Sequence, residues 1–290
     1  MINYYERAKA QPEIFNQLVC KELLFVHYDC PLEVSQLDKW SQHNYILYIL
    51  SGKKAYHTPG RSWELTKGSA VFVKKGACII EKFFDEVLCI MTFFIPDSYL
   101  KSFLQENSVL VRNRLPDEDN DLLVELDINA MTKAYFESLI PYFFAETKPS
   151  EELLELKFKE LLLNILNNPR NEKLNGYILQ LSMSQEESLR RVMEANCLFN
   201  LTLDDYAKLN NLSLSSFKRH FYAAYKIRPG QWMLNKKLAY AHKLLLTSDM
   251  PITDIAFESG FEDSTHFSHV FKKRFDQSPL KFRLHFNTTV

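Results

Sequence analysis

Short hydrophobic runs alternate with glycine-containing turns over the first hundred residues. The runs lie at 22–29, 44–50, 70–73, 77–84 and 86–95, and they are rich in β-branched and aromatic residues. Between them stand four turn signals: Ser51-Gly52, Pro59-Gly60, Lys67-Gly68 and Lys75-Gly76. Strands so short and so regularly interrupted predict an antiparallel sandwich or small barrel rather than β–α–β units.

The hydrophobic period changes after Pro96, where apolar residues recur three and four positions apart. The segments 97–106, 130–146 and 150–167 follow this amphipathic helical pattern. The third segment is the clearest, because Ser150 is a favoured N-cap and two glutamates follow it. A polar stretch at about 168–175 then predicts a linker, and we expect the rest of the chain to be helical.

Residues 202–224 predict two helices joined by a tight turn. Thr202 and Asp205 form a variant capping box, Asn210-Asn211 interrupts the first helix, and Ser213 can cap the second. The second helix has an apolar face and a polar, cationic face; the polar face carries Ser215, Ser216, Lys218, Arg219 and Tyr222. This layout is typical of a helix-turn-helix that places side chains in a major groove.

The same pattern returns about fifty residues later, in 251–275. Gly260 makes the turn, and the second helix exposes Thr265, His266, Ser268 and His269, followed by Lys272, Lys273 and Arg274. Between the two units, residues 230–247 predict a helix of roughly 25 Å. Such a rod could hold two reading helices near one DNA turn apart. Two copies are stronger evidence than one, because single helix corners with a glycine are common in enzymes.

Charge is unevenly distributed along the 290 residues. The formal net charge is −1, yet residues 201–290 carry 13 Lys and Arg against 8 Asp and Glu. A basic C-terminal region in an otherwise acidic chain is expected when only that region binds a polyanion. The 46% hydrophobic content excludes a disordered chain, and the length predicts two domains. With no long apolar run, no secretory signal and no CxxC pair, we expect a reduced, cytoplasmic protein without a membrane partner.

Residues 185–286 resemble the DNA-binding domain of the AraC/XylS family of bacterial transcription regulators. The second unit carries the family's most recognisable run: Ile255-Ala256, Gly260-Phe261, Phe267-Ser268, Phe271-Lys272-Lys273-Arg274-Phe275, Ser278-Pro279 and Phe282-Arg283. The first unit matches at Leu203, Ala207, Leu212-Ser213, Phe217, Arg219, Phe221 and Pro229. The resemblance implies double-stranded DNA and RNA polymerase as partners, with the helices at 213–222 and 264–274 in successive major grooves.

The resemblance also implies roles for individual side chains. Base contacts would come from Ser215, Lys218, Arg219, Thr265, Ser268 and His269. Phosphate contacts would come from Lys236, Lys237, Lys272, Lys273 and Arg274. The chemistry agrees, since an arginine such as Arg219 can bind guanine through two hydrogen bonds. Three positions depart from the family pattern: Asn211 and Lys226 stand at usual glycines, and His269 stands at a common arginine, which leaves the second helix's base preference open.

The β-rich front part is similar to the cupin-like regulatory and dimerisation domains of this family. Residues 51–76 and 156–166 resemble type III secretion activators, which implies control by partner proteins rather than sugars. An enzymatic cupin would need a close histidine pair with a carboxylate as metal ligands, and His27, His43 and His57 form no such pair. We therefore expect no metal, no cofactor and no catalytic residue. Tyr48, His57 and Trp63 are expected in the core or at its rim, and the ligand-binding residues are unknown.

The predicted fold class is α+β: an N-terminal cupin-like antiparallel β-barrel with packed helices, followed by an all-α domain of two helix-turn-helix units joined by a long helix. The predicted domains are 1–170 for regulation and dimerisation, 171–184 as linker, and 185–290 for DNA binding. The predicted function is a sequence-specific transcription regulator, an activator and homodimer. Control by a small-molecule effector or by a docked anti-activator protein stays open, and an enzymatic cupin fused to a DNA-binding tail is a third alternative.

Overall fold

A computed structural model describes residues 1–29, 35–83, 86–107, 121–181 and 184–287, with side chains described as far as His285. Cys30, the end of the predicted strand at Phe84 and the predicted linker residues 182–183 lie outside the described residues. The chain divides into two compact units, Met1–Arg191 and Val192–Val290. No described helix is both long enough and apolar enough to cross a membrane.

The described strands all lie in the first unit and form two sheets. They are β1 (Ile2–Asn3), β2 (Asn16–Cys20), β3 (Leu23–Asp29), β4 (Gln36–Ser41), β5 (Asn44–Ser51), β6 (Lys53–Thr58), β7 (Arg61–Thr66), β8 (Ala70–Val73), β9 (Gly76–Lys82), β10 (Cys89–Ile95) and β11 (Leu123–Leu126). The sheet orders are β1-β4-β9-β6-β7 and β11-β8-β5-β10-β3-β2. Among the described strand pairs, β1–β4 is parallel and the others are antiparallel. The antiparallel prediction is confirmed, although the described strands make two sheets rather than one closed barrel.

In the described part of the chain before residue 197, six helices follow the strands or lie between them. They are α1 (Tyr4–Ala10), α2 (Asp97–Glu106), α3 (Ala130–Phe144), α4 (Glu151–Leu166), α5 (Glu172–Gln180) and α6 (Gln185–Asn196), and a 3-10 turn (Pro169–Asn171) joins α4 to α5. The three helices predicted in this part of the chain are confirmed as α2, α3 and α4. As predicted, the Ser150 side chain caps α4 by accepting a hydrogen bond from the Leu153 amide.

The six-stranded sheet is buried on both faces. In β5, Tyr45 and Leu47 face the five-stranded sheet, while Ile46 and Tyr48 pack on the helices of the first unit. A strand buried on both sides reads as a continuous apolar run, which explains why β3, β5, β8 and β10 were visible in the sequence. The strands β4, β6 and β7 carry charged residues at several positions, and the hydrophobic pattern missed them.

Two of the three residues expected in the core or at its rim are core residues. The Tyr48 ring stacks on Phe136, with centroids 4.2 Å apart, and Trp63 is buried between the sheets. His57 is half-exposed, and its ring nitrogens lie 2.7 Å from Ser62 Oγ and 3.0 Å from Glu81 Oε2.

The segment 171–184, expected as a linker, is largely folded into the first unit. The helix α5 buries Leu174, Tyr177 and Ile178 in the core between the six-stranded sheet and the helices of the first unit. The Tyr177 hydroxyl donates a hydrogen bond of 2.6 Å to Asn44 Oδ1 in β5. The sequence pattern failed here because a short helix with polar residues on one side and few apolar ones on the other has low overall hydrophobicity. The boundary between the compact units falls within α6 instead.

The second unit is helical in its described part, as predicted. After the end of α6, it contains α7 (Leu203–Leu209), α8 (Leu214–Tyr225), α9 (Pro229–Thr247), α10 (Ile252–Glu258), α11 (Ser264–Phe275) and α12 (Pro279–Asn287). The helix α9 is the predicted connector, and its 19 residues span about 28 Å. Leu238, Ala241 and Leu245 on α9 pack in one cluster with Ile255, Phe267 and Phe271 of the second helix-turn-helix.

Candidate nucleic-acid interface

The first helix-turn-helix is built from α7 and α8. The Thr202 and Asp205 side chains form a complete capping box at the start of α7, and Ser213 caps α8. Between the helices, Asn211 adopts a left-handed φ of 55°, and the Leu212 amide donates to the Ala207 carbonyl at 2.9 Å. Phe217 and Phe221 are fully buried on the inner face of α8. The inner face therefore fixes which side of α8 faces solvent.

The second helix-turn-helix repeats this construction in α10 and α11. Gly260 takes the left-handed position with a φ of 81°, and the Phe261 amide donates to the Ala256 carbonyl at 2.9 Å. Asp263 caps α11 by accepting from the amides of Thr265 and His266. Phe267 and Phe271 are fully buried. Both turns thus contain one residue in the left-handed conformation, and in both the next amide donates a hydrogen bond to the carbonyl five positions earlier.

From the reading helices onward, the two units match at a spacing of fifty residues. The buried pair Phe217 and Phe221 corresponds to Phe267 and Phe271. Each reading helix ends in a left-handed residue, Lys226 with a φ of 60° and Asp276 with a φ of 60°. Each is then followed by a helix that begins at a proline, α9 at Pro229 and α12 at Pro279. The same register pairs Ser215 with Thr265, Lys218 with Ser268, and Arg219 with His269.

The six side chains predicted to contact bases lie on the outer faces of α8 and α11. Ser215, Lys218 and Arg219 are exposed, Thr265 and His269 are exposed, and Ser268 is half-buried. All six follow the helix cap within two turns, where a recognition helix contacts base edges. Within each unit the three side chains share one helix face, since they lie three and four positions apart.

The residues predicted to contact phosphates fall into two groups. Lys272, Lys273 and Arg274 are exposed in the last turn of α11. Lys236 lies on α9 in a surface ion pair with Glu194, with 2.7 Å between Nζ and Oε2. Lys237 donates to Asn200 Oδ1 at 2.7 Å and to the Gly260 carbonyl at 2.6 Å, and burial lowers the pKa of its ammonium. This geometry makes Lys237 a brace of the Gly260 turn, and no spacing in the sequence indicates that.

The departures from the family pattern are tolerated locally. Asn211 and Lys226 both stand in the left-handed region, which asparagine enters at low cost and lysine at a higher one. Sequence reasoning missed Asp263 as the cap of α11, where the two amide hydrogen bonds lower the pKa of its carboxyl. The available signal was its position, three residues after Gly260 and directly before the reading helix.

Comparison with known proteins finds two matching family models and several similar proteins. Residues 44–177 match the ExsA N-terminal regulatory domain, and residues 206–285 match a helix-turn-helix domain. The virulence regulon transcriptional activator VirF of Yersinia enterocolitica is 28% identical over 240 residues, 82% of this chain and 88% of VirF. The HTH-type transcriptional regulator ExsA of Pseudomonas aeruginosa is 27% identical over 267 residues, 91% of this chain and 93% of ExsA. The solved structure of ToxT from Vibrio cholerae aligns with 90% of this chain and 98% of its own at 18% identity, with a TM-score of 0.39.

A doubled helix-turn-helix behind a regulatory domain defines a DNA-binding transcription regulator. The chain is similar along most of its length to AraC-family regulators, and its first unit resembles that of the type III secretion activators.

Proposed function

We propose that the protein activates transcription as a cytoplasmic homodimer, with α8 and α11 of each subunit in adjacent major grooves. The repeat of two polar trios on outer helix faces, fifty residues apart, carries this proposal, since it gives two equivalent reading faces. The similarity to VirF, a transcriptional activator, supports activation over repression. RNA polymerase as a partner stays a prediction, and so does the absence of an enzymatic reaction.

For base contacts we keep Ser215, Lys218 and Arg219 with their three counterparts on α11. For phosphates we keep Lys272, Lys273 and Arg274, whose ammonium and guanidinium groups extend from the end of α11. Lys236 can exchange its exposed ion pair for a phosphate, because such pairs contribute little to stability. Lys237 is removed from this group, because two short hydrogen bonds hold its ammonium inside the unit.

Arg219→Ala is expected to weaken specific binding by about 1–3 kcal/mol and to relax the base preference at one position. The bound sequences are first selected from a random oligonucleotide pool, and gel shifts then compare every base at each position. Arg219→Lys is the matched variant, since it keeps the charge and loses the two-pronged hydrogen bonding. An unchanged base preference in Arg219→Ala would remove Arg219 from the reading face. No enriched sequence with the native protein would overturn the proposed function itself.

The phosphate role of α11 is tested by a contrasting variant. Lys273→Ala is expected to weaken binding to all DNA sequences alike. The slope of the logarithm of affinity against the logarithm of salt concentration should become less steep by about one. Lys243→Ala removes an exposed lysine from the C-terminal part of α9 and serves as the control. A sequence-selective loss in Lys273→Ala would contradict a phosphate contact.

For the dimer interface we propose the exposed face of α4. Leu153, Leu156 and Leu163 share this face and are 37%, 65% and 36% exposed, while the opposite face is buried in the first unit. A helix with apolar residues on both faces is unusual on a free surface. Dimerisation would strengthen binding at paired sites by raising the effective concentration of the second subunit.

Leu156→Glu is expected to convert the dimer to a monomer, because the carboxylate would have to be buried at the interface. Sedimentation equilibrium of the full chain measures this change, and Met131→Glu, at an exposed position on α3, is the control. A native protein that sediments as a monomer, or a Leu156→Glu variant that stays dimeric, would reject this face.

A second candidate for control of the first unit is a docked anti-activator protein. A cavity next to the intersheet core is lined by Tyr4, Phe15, Tyr28, Lys39 and Lys54 among others, and its volume is about 50 Å³. A cavity of about 150 Å³ is needed to hold one benzene molecule, so this one does not accommodate a sugar without rearrangement. This cavity therefore gives no support to a small-molecule effector. Thermal-shift screening against metabolites, beside affinity capture with mass spectrometry and reconstitution of the captured pair, distinguishes the two.

A further inference from the structure

We propose that His27, Asp29 and Cys89 form a binding site for one divalent transition-metal ion of the Zn²⁺ class. The three residues lie on neighbouring antiparallel strands, β3 and β10, whose register places Cys89 opposite Asp29 and Met91 opposite His27. Side chains alternate along a strand, so all three project from the same face of the six-stranded sheet. Their ligand atoms lie within 4.8 Å of one another.

The distances are close to those of a metal site. His27 Nε2 lies 3.4 Å from Cys89 Sγ. Bond lengths of about 2.0–2.3 Å from Zn²⁺ to nitrogen, oxygen and sulfur put tetrahedral ligands about 3.3–3.8 Å apart. The His27–Cys89 pair already has this separation. Asp29 is exposed at the end of β3, so a rotation of its side chain is enough to bring a carboxylate oxygen to the same distance.

The ligand types select the metal. A thiolate, an imidazole and a carboxylate together favour Zn²⁺ and its neighbours in the first transition row, because Mg²⁺ and Ca²⁺ prefer oxygen alone. Three protein ligands leave a fourth position for water. When the metal binds, the Cys89 thiol releases its proton to solvent and a sulfur–metal bond replaces the S–H bond.

The surroundings of His27 hold its ring in one orientation. The side chain is 5% exposed, and its ring packs against Phe143 and Phe144, with centroids 5.6 and 5.1 Å away. The buried Nδ1 atom has no hydrogen-bond partner among the described residues. Ring packing and the contact of Nε2 with Cys89 Sγ together fix this ring. The proposed metal bond would form at Nε2, the ring nitrogen that faces Cys89.

The sequence does not reveal this cluster, because it lacks the histidine pair expected of a cupin metal site. The pattern present is His-x-Asp on one strand, with the cysteine sixty residues further along the chain on the neighbouring strand. Only the strand register shows that the three residues meet.

The test uses the full chain, stripped of metal with a chelator and then titrated with CoCl₂. We expect saturation at one Co²⁺ per chain, with an intense near-ultraviolet thiolate-to-cobalt band and the visible bands of four-coordinate Co²⁺. ZnCl₂ should remove these bands and raise the thermal unfolding midpoint of the first unit. Cys89→Ser should abolish the thiolate band, and Asp29→Asn should weaken Co²⁺ binding at least tenfold.

Two matched controls retain binding if the site is correct. Cys197→Ser removes a thiol in the second unit, and His57→Gln removes a histidine of the other sheet. Because Asp29 is exposed, Asp29→Asn tests the site without disturbing the core, and circular dichroism of each metal-free variant verifies its fold. No thiolate band with the native chain, or a band that survives Cys89→Ser, overturns the proposal. Gel shifts are not part of this test, so its outcome is independent of DNA binding.

Discussion

Gly260→Ala is expected to destabilise the second helix-turn-helix by at least about 3 kcal/mol and to abolish specific DNA binding. A Cβ atom at this position would lie 2.0 Å from the Leu198 carbonyl oxygen and 3.1 Å from Lys237 Cε. The backbone also has a φ of 81°, which alanine adopts only with strain. The turn would have to open, and the hydrogen bonds from Phe261 to Ala256 and from Lys237 to Gly260 would be lost with it.

The first helix-turn-helix supplies a matched control for this substitution. Asn211 holds the equivalent left-handed position with a φ of 55°, where Asn211→Gly relieves backbone strain and raises the entropy of the unfolded chain. Its net effect should stay within about 1 kcal/mol. Urea unfolding followed by circular dichroism compares the two variants, and gel shifts on the selected sequence measure binding. Equal stability of Gly260→Ala and the native chain would contradict the close approach of Leu198.

Asp97→Asn is expected to destabilise the first unit by about 3–5 kcal/mol at neutral pH, because it leaves the Lys75 ammonium buried without its counter-charge. The Lys75 and Asp97 side chains are only 3% and 10% exposed, with 2.6 Å between Nζ and Oδ2. Asn44 donates a second hydrogen bond of 2.7 Å to the same carboxylate, and it also accepts from Tyr177 of α5. The pair therefore connects β5, the start of α2 and α5.

The same pair predicts how stability depends on pH. Burial alone would raise the pKa of Asp97, but the charge of Lys75 and the hydrogen bonds from Lys75 and Asn44 outweigh it and lower the pKa below 3.8. The contribution of the ionised Asp97 to folding stability is thus fully present above pH 3.8. It is lost as the pH falls through the lower pKa that Asp97 has in the folded state. The difference in stability between the native chain and Asp97→Asn should shrink in this acid range.

Urea unfolding at pH 7 and at several values below pH 4 measures this difference. Glu186→Gln, which breaks an exposed ion pair with Arg190, is the control and should change stability little at any pH. A loss of stability of similar size in Glu186→Gln would contradict the assigned role of the buried pair. So would a loss of stability in Asp97→Asn that persists unchanged in acid.

Much of the second unit could be predicted from sequence because its signals are local. The capping box of Thr202 and Asp205, the left-handed turn residues Asn211 and Gly260, and the buried phenylalanines all act within a few residues of one another. The exposed faces of α8 and α11 then follow from helical geometry. The two hydrogen bonds of Lys237 could not be predicted, because its partners, Asn200 and the Gly260 carbonyl, are 37 and 23 positions away.

Local sequence patterns are enough to predict the two-part organisation, the reading helices and the strands that are buried on both faces, since hydrophobic period and helix caps are properties of neighbouring residues. The strand order, the docking of α5, the buried Lys75–Asp97 pair and the contact of His27 with Cys89 depend instead on residues that are distant in the chain. Asn44 and Tyr177 are 133 positions apart, yet a 2.6 Å hydrogen bond joins them. No local pattern encodes such a pairing, because it arises when the whole sheet closes and buried polar groups must find partners.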